Sequence, residues 1–364
     1  MNPLSTSPAK APLATPLPVN LGAVGQPALY VEIDTGSLAL AHAGTALLTL
    51  TRLHTGALGY RPAGHPTMAD EARWLLAALE GWLTYAADTA AVDIEADAQT
   101  PGLAYLVATG LLQPLGEARY RCHGAVLWQH APLWLPLAAP PYPQRHTVTD
   151  GRRHPHRPPR PSSTFYRRFI PWIGQTLTFE PLDPQADLAL FNRWMNTPRV
   201  TRFWNESGSL DDHRRYLDTL LQSPHSFPVI GRFDGVPFGY FEIYWAREDR
   251  IAPYYEAGDY DRGVHLLVGE EHFRGQAFYT AWFSSLCHFA LLDDPRTQRV
   301  VCEPSHDNRR QLANFDRSGF AKIKSFDFPH KRATLVMLSR ERFFQEHLFH
   351  PLAAPQGAPH FSRS

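Results

Sequence analysis

The sequence predicts an α/β (α+β) chain: a C-terminal domain on a central mixed β-sheet flanked by helices, plus a smaller N-terminal α+β domain. Three observations predict it. A proline-rich stretch from Pro132 to Pro161 divides the 364 residues into two parts, each long enough for a domain. Beyond that stretch, runs of strand and helix character follow in the order β-α-α-β-β-β-α-β-α-β-β. Within that order Asp234-Gly235 joins two apolar runs, a strong hairpin signal.

Along the chain, residues 1–26 (MNPLSTSPAKAPLATPLPVN onward) are rich in Pro, Ser and Ala and lack an apolar signal-peptide core, which predicts a disordered tail. Residues 27–142 form the expected N-terminal accessory domain. ALYVEI and TALLTLTRL have strand character, Asp70 to Leu83 reads as a helix with Leu75, Leu79 and Trp82 on one face, and RYRCHGAVLWQ alternates like a strand. No catalytic constellation is visible there, and the expectation is a packing or dimerisation module. Residues 143–164, centred on DGRRHPHRPPRP, should be a linker or an arm on the next domain, because repeated prolines disfavour helix and central strand. His154 and His156 are expected to be solvated rather than metal-bound. Residues 351–364 close the chain as an expected flexible tail.

The domain at 165–350 opens with a strand over 176–179. Helices follow over 186–195 and 210–221. The hairpin PVIGRF/FGYFEIYW comes next, and then a charged, Tyr-rich insertion, AREDRIAPYYEAGDYDRG. After it come the strand VHLLVG, a helix starting near Gly275, the strand RVVCE, the helix RRQLANFDRSG, and the strands AKIKSFDF and ATLVML. Lys+Arg and Asp+Glu are both 35, so the formal charge is zero and neither nucleic acid nor a membrane surface is an expected partner. No run approaches the ~18 apolar residues of a membrane span. The cysteines, Cys122, Cys287 and Cys302, are odd in number and far apart, which argues against a disulfide framework or zinc site and for a reducing, cytoplasmic setting.

This element order, together with WMNTPRVTRFWNESGS, GYFEIYWAREDRIAPYYEAGDYDRGVHLLVGEEHFRG and CEPSHDNRR, resembles the siderophore-biosynthesis branch of the GNAT acyltransferases. The likeness covers residues 157–348. It implies transfer of an acyl group, acetyl or succinyl, from acyl-CoA to an N-hydroxylated amine such as hydroxylysine, hydroxyornithine or a hydroxylated diamine. The product would be a hydroxamate, and no metal is called for. A siderophore synthetase is a conceivable partner, and the chain is expected to act as a monomer or homodimer.

The resemblance can be checked against what each residue could supply. Coenzyme A needs a tight turn opening a helix, whose backbone N–H groups meet the pyrophosphate. Arg274, Gly275, Gln276 and Ala277 occupy that place, although Ala277 stands where the family motif has glycine. The strand VHLLV should splay from its neighbour and offer backbone donors through Leu267 and Val268 to the thioester. His265 lies on the strand face opposite Val264 and Leu266, and by resemblance it is the catalytic histidine. Asp307, in the loop after the strand RVVCE, is the candidate to orient it or to bind the substrate hydroxyl, although relatives carry an acidic residue where this chain has Ser305. Asp307 is equally placed to cap a helix. Asn308 should contact coenzyme A or cap the same helix. A hydroxylamine nitrogen is weakly basic, so a neutral imidazole that accepts a proton as the C–N bond forms suits the task. Arg202, Trp204, Glu206, Tyr244, Arg250, Tyr254 and Asp261 are the candidate acceptor contacts. Two other functions fit the same fold: a primary-amine acetyltransferase, for example of aminoglycosides, and a silent acyl-CoA-binding scaffold.

Overall fold

The computed structural model describes residues 17–19, 29–34, 36–86, 89–96, 100–116 and 118–351. The remaining parts of the predicted tails lie outside the described residues. The chain divides into two compact units, Met1–Ala138 with Arg167–Gln175, and Ala139–Tyr166 with Thr176–Ser364.

The first unit holds an eight-stranded sheet. Its spatial order is Leu17–Pro18, Tyr30–Ile33, Ser37–His42, Thr45–Arg52, Leu58–Pro62, Ala91–Glu95, Arg119–His123 and Gln113–Gly116. Leu17 and Pro18 pair with Val31 and Tyr30, so the first 26 residues are not wholly the tail that their composition suggests. Proline is tolerated there because the strand lies at the sheet edge. Helix Met68–Tyr85 buries Leu75, Leu76, Leu79, Trp82 and Leu83, the face set by their helical spacing. The run RYRCHGAVLWQ is a strand only to His123. Gly124 then donates its N–H to the Ala90 carbonyl and the chain turns into the helix Gly124–Leu127.

In the second unit we label β1 (Gln175–Pro181), α1 (Leu188–Met195), α2 (Pro198–Trp204), α3 (Leu210–Gln222), β2 (Ser226–Phe233), β3 (Val236–Trp245), β4 (Arg262–Val268), α4 (Gln276–Leu292), β5 (Arg299–Cys302), α5 (Arg309–Arg317), β6 (Ala321–Asp327), β7 (Arg332–Ser339) and α6 (Arg340–Gln345). These strands follow Tyr166–Ile170 in an eight-stranded sheet, in the order β1-β2-β3-β4-β5-β7-β6. Asp234 and Gly235 make the β2–β3 turn with φ of 47° and 80°, the left-handed pair that a two-residue hairpin needs. The sequence does not announce α2. Pro198 sits in its first turn, where a missing N–H costs nothing, and Asn205 ends it at φ 56°. Leu188, Phe191, Trp194, Met195 and Leu217 from α1 and α3 pack on Ile230, Tyr240 and Leu267 of the sheet. On the other face α4 packs, with Trp282 against Phe241. α4 is buried along most of its length, which is why its sequence is apolar on all sides.

The stretch expected as a linker is structured. His146–Thr149 and Arg152–Pro155 form a hairpin through Asp150 and Gly151, at φ 50° and 75°. The same Asp-Gly signal that marks β2–β3 operates inside a proline-rich segment. The hairpin is the arm rather than the free tether. Arg157 holds Glu248 through two bonds of 2.5 and 2.6 Å, and Arg152 donates to the carbonyls of Glu248 and Asp249. His146 meets Asp259 at 2.9 Å. His154 is buried and lies 2.9 Å from Glu248, contrary to the solvated state expected of it. The insertion supplies the carboxylate that makes its burial tolerable.

Candidate active site

Parallel pairing of β4 with β5 lasts for two residue pairs only, Arg262↔Val300 and Gly263↔Val301. Beyond them the strands part, while β4 stays paired with β3 from Trp245↔Arg262 to Gly239↔Val268. Gly263 sits at the fork because a Cβ there would lie 2.1 Å from the Tyr244 ring. Side chains cap carbonyls along the parted edge. Cys302 Sγ reaches Val264 O, Trp204 Nε1 reaches Leu266 O at 3.3 Å, and Arg199 reaches Val268 O at 2.8 Å. Backbone groups of a strand alternate in direction, so Leu266 and Val268 face the open edge. Leu267 faces β3, its side chain buried in the core. The sequence reading paired Leu267 with Val268 as donors; the alternation puts Leu266 in that place.

The chain then turns through Glu270–Arg274 into α4. Phe273 fixes the turn by stacking on Phe233, with centroids 5.4 Å apart. Gly275 caps the helix at φ 105°, with no side-chain cap and no acidic residue in the first turn. Gly275, Gln276 and Ala277 are exposed, so the helix N-terminus is open. Arg199 stands beside the turn; burial and then the Arg274 charge lower its pKa, which marks the two cations as neighbours. The sequence reading missed Arg199, whose place on α2 carries no local signal.

His265 lies across the fork between two carboxylates. Its Nδ1 is 2.7 Å from Glu242 and its Nε2 is 2.9 Å from Glu303. Carboxylates on both nitrogens are satisfied together only by the doubly protonated ring. Glu242 also accepts from the hydroxyls of Tyr216 and Tyr240, and Glu303 from Tyr244 at 2.9 Å. Both carboxylates are almost wholly buried, at 4% and 3% exposure. Burial works against the charge on His265, but Glu303 and the hydrogen bonds to both carboxylates override it and raise the imidazole to about 10. Burial likewise opposes ionisation of Glu303, and the His265, Lys331 and Arg250 charges win, taking it to about 2. Glu242 is held below its usual range against its own burial, chiefly by the His265 hydrogen bond.

The neutral imidazole expected from the sequence is therefore an imidazolium at neutral pH. The two carboxylates and the ring carry a net charge of −1, and Arg250, 3.6 Å from Glu303, faces them. Stability should follow these shifts. His265 binds its proton more tightly when folded, so its contribution is full below ~6.5 and is lost as pH rises toward about 10. Glu303 contributes above its ordinary ~4.3 and loses that contribution as pH falls toward about 2. The melting temperature should peak between these limits. His265→Gln should flatten its alkaline limb, as thermal denaturation across pH 3 to 10 would show.

The other predicted residues separate into two groups. Tyr244 packs on His265 at 4.8 Å, Trp204 meets the same ring edge-on at 6.3 Å, and Arg250 Nη2 lies 3.4 Å from His265 Nε2. Glu206 is exposed, and partial desolvation of its carboxyl followed by the Glu242 charge raises its pKa, which places it beside the same cluster. Asp307 does not join them. It is exposed, and Glu303, four residues earlier at the end of β5, is the carboxylate that meets His265. Asn308 caps α5 through a bond from Gln311 N–H. Asp261 is buried and braces the insertion by binding Arg299, Tyr255 and Gly258 N–H. Tyr254 packs on Phe326 and Phe328, and Arg202 lies exposed over Phe203. Sequence reasoning missed Glu242, Glu303 and Tyr216. The only hint was a glutamate in each of two otherwise apolar strands.

A sheet forked between parallel strands, with an open helix N-terminus beyond the fork, defines a GNAT-type acyl-CoA acyltransferase. The family model described as an acetyltransferase (GNAT) domain matches residues 183–328. The chain is 46% identical over 227 residues to the N(6)-hydroxylysine O-acetyltransferase of Escherichia coli, covering 62% of this chain and 71% of that one. It is 35% identical over 309 residues to acyltransferase ato1 of Omphalotus olearius, covering 77% of each. It is also 40% identical over 258 residues to the N(5)-hydroxyornithine:cis-anhydromevalonyl coenzyme A-N(5)-transacylase SIDF of Beauveria bassiana, spanning 57% of that chain's length. The chain belongs to the siderophore-biosynthesis branch of the GNAT acyltransferases. Among the described residues no helix is long and apolar enough to cross a membrane.

Proposed function

We propose that the second unit transfers an acyl group from acyl-CoA to the nitrogen of an N-hydroxylated amine side chain, forming a hydroxamate. The observation that carries this reading is His265, set between Glu242 and Glu303 where β4 and β5 part. The thioester lies along the open edge of β4, where the Leu266 and Val268 N–H groups meet its carbonyl oxygen as negative charge develops. The pyrophosphate sits over Gly275–Ala277, with Arg199 and Arg274 beside it. The acceptor enters past Trp204, Glu206 and Arg250, its hydroxyl against the Glu303–His265 edge.

As the C–N bond forms, the nitrogen becomes acidic. A weak base then suffices, and Glu303 takes the proton while the imidazolium stays charged and balances the pair. The C–S bond breaks, and the proton ends on the departing coenzyme A thiolate. Related enzymes bear names with both O- and N-transfer, and the product separates these. A hydroxamate gives a coloured ferric complex and resists mild base, whereas an O-acyl ester hydrolyses. Incubation with acetyl-CoA and succinyl-CoA against a panel of hydroxylated amines tests the reading, and absence of ferric-binding product with every pair would overturn it.

Gly275 gives a second, local check. At φ 105° and ψ 168° any side chain is strained by ~1–3 kcal/mol, and a bulky one also stands over the pyrophosphate seat. By blocking those contacts, Gly275→Trp should raise the KM for acyl-CoA by at least ~10-fold and leave the acceptor KM near its wild-type value. Steady-state kinetics with each substrate varied in turn would show this; an unchanged acyl-CoA KM in a folded variant places the cofactor elsewhere.

A further inference from the structure

We infer that the first unit is a second copy of the acyltransferase fold that has lost its cofactor and acceptor sites, so that the chain takes up one acyl-CoA. This rests on the reading of the second unit as the acyl-CoA site.

From Tyr30–Ile33 in the first unit and from β1 in the second, the strand order is the same, and every connection but the first matches. In each, a hairpin turned by two left-handed residues leads to a strand that forks from a parallel neighbour. The turns are Ala43-Gly44 and Asp234-Gly235. The parallel pairs are Leu58↔Ile94 with Gly59↔Glu95, and Arg262↔Val300 with Gly263↔Val301. Each hairpin is bulged next to its turn, between Leu40 and Ala41 and between Gly231 and Arg232. A long helix spans each fork, Met68–Tyr85 and α4, and a shorter one follows the parallel strand, Pro101–Ala108 and α5. Each sheet then ends in a bulged hairpin whose second strand pairs back beside the parallel strand. The residue after that strand donates to the residue before the parallel strand in both, Gly124 N–H to Ala90 O and Arg340 N–H to Gln298 O, each at 2.8 Å. Independent folds would not be expected to share the order, both bulges and this closing bond.

Three differences then silence the first copy. The helix N-terminus at its fork is closed. Thr67 accepts from Asp70 N–H, and Asp70 and Glu71 put two carboxylates in the first turn, where a pyrophosphate would meet like charge. Glu71 is buried and accepts from the Tyr60 hydroxyl at 2.8 Å and from Gly102 N–H at 2.7 Å, tying the forked strand to both helices. A Cβ on Gly102 would lie 2.7 Å from Ala72 N, so nothing passes between those helices. Next, the histidine and the carboxylate opposite it on the neighbouring strand are missing. Counted from the fork, His265 and Glu242 correspond to Arg61 and Thr49; counted from the hairpin turn, to Gly59 and Thr51. Last, the second and third strands, Tyr30–Ile33 and Ser37–His42, are joined directly, where the second unit inserts α1, α2 and α3 with Trp204, Glu206 and Tyr216.

Calorimetric titration of the full chain with acetyl-CoA tests this. The expected stoichiometry is one, abolished or weakened at least ~10-fold by Arg274→Glu and by Gly275→Trp, with thermal melting confirming that both variants fold. Two acetyl-CoA per chain, one of them lost in each variant, would overturn the inference and leave the proposed chemistry standing; a single acetyl-CoA that survives both variants undiminished would overturn both the inference and the cofactor seat proposed for the second unit. No binding at all would overturn the reading of the second unit and uphold the silence of the first.

Discussion

Replacing His265 by glutamine is expected to lower the turnover number by ~10²–10⁴ and to change acyl-CoA binding little. Glutamine can bond one carboxylate but brings no charge. Glu242 and Glu303, both almost wholly buried, then face each other across the fork without the cation between them, and only Arg250 and Lys331 remain beside Glu303. Two like charges in one buried site do not both stay ionised, so one carboxyl takes up a proton. The pair shares that proton, so Glu303, the group that receives the proton from the attacking nitrogen, is partly occupied at neutral pH. The rate–pH profile of the variant should therefore shift upward, with activity partly recovered as pH rises. A histidine that only packs predicts lost thermal stability without that shift. Glutamine is preferred to alanine because alanine also opens a cavity beside Trp204 and Tyr244. A folded His265→Gln protein that keeps more than about a tenth of its turnover, with an unshifted pH profile, would remove His265 from the chemistry.

The sequence carries much of the frame and less of the site. The β2–β3 hairpin is legible because Asp234-Gly235 stands between two apolar runs. The same dipeptide at Asp150-Gly151 is obscured by the prolines that follow it, so the stretch reads as a linker or an arm and its hairpin goes unseen. Burial of Arg157 against Glu248 joins residues 91 apart, and no local pattern announces it. At the site, alternation puts His265 on the correct face, but alternation gives no register. Glu242 lies opposite His265 only because the β3–β4 pairing places it there. Glu303 closes β5 one residue past the strand, and the fork brings it to His265. Asp307 draws attention in the sequence as the acidic residue of the loop that follows the strand, two positions from where the family pattern has its acid, yet the turn after β5 leaves it in solvent. The repeated architecture is hidden for a related reason. What the two units share is topology, bulge position and a closing backbone bond, and none of these requires similar side chains.

Hydroxylated amines should be acylated faster than their parent amines by ~10³–10⁴ at neutral pH. Two physical causes add. A site built around the hydroxyl loses that contact with the parent amine, and its buried polar groups go unpaired. The second cause is specific to this cluster. A lysine-type amine has a pKa of ~10.4, so only about one molecule in 10³ is neutral near pH 7. His265 is already protonated and Glu303 is held at about 2, so neither can take a proton from an ammonium group. A hydroxylamine is largely neutral at the same pH and meets no such barrier. The two causes differ in their response to pH. Discrimination that comes from protonation shrinks about tenfold per unit as pH rises toward ~10.4, while discrimination from the hydroxyl contact does not change. Comparing kcat/KM for hydroxylysine and lysine from pH 7 to 9 should therefore show the ratio falling by up to about 100-fold and remaining above one. A ratio near one at pH 7 would mark the enzyme as a primary-amine acetyltransferase, and would require a base that the Glu242–His265–Glu303 cluster does not contain.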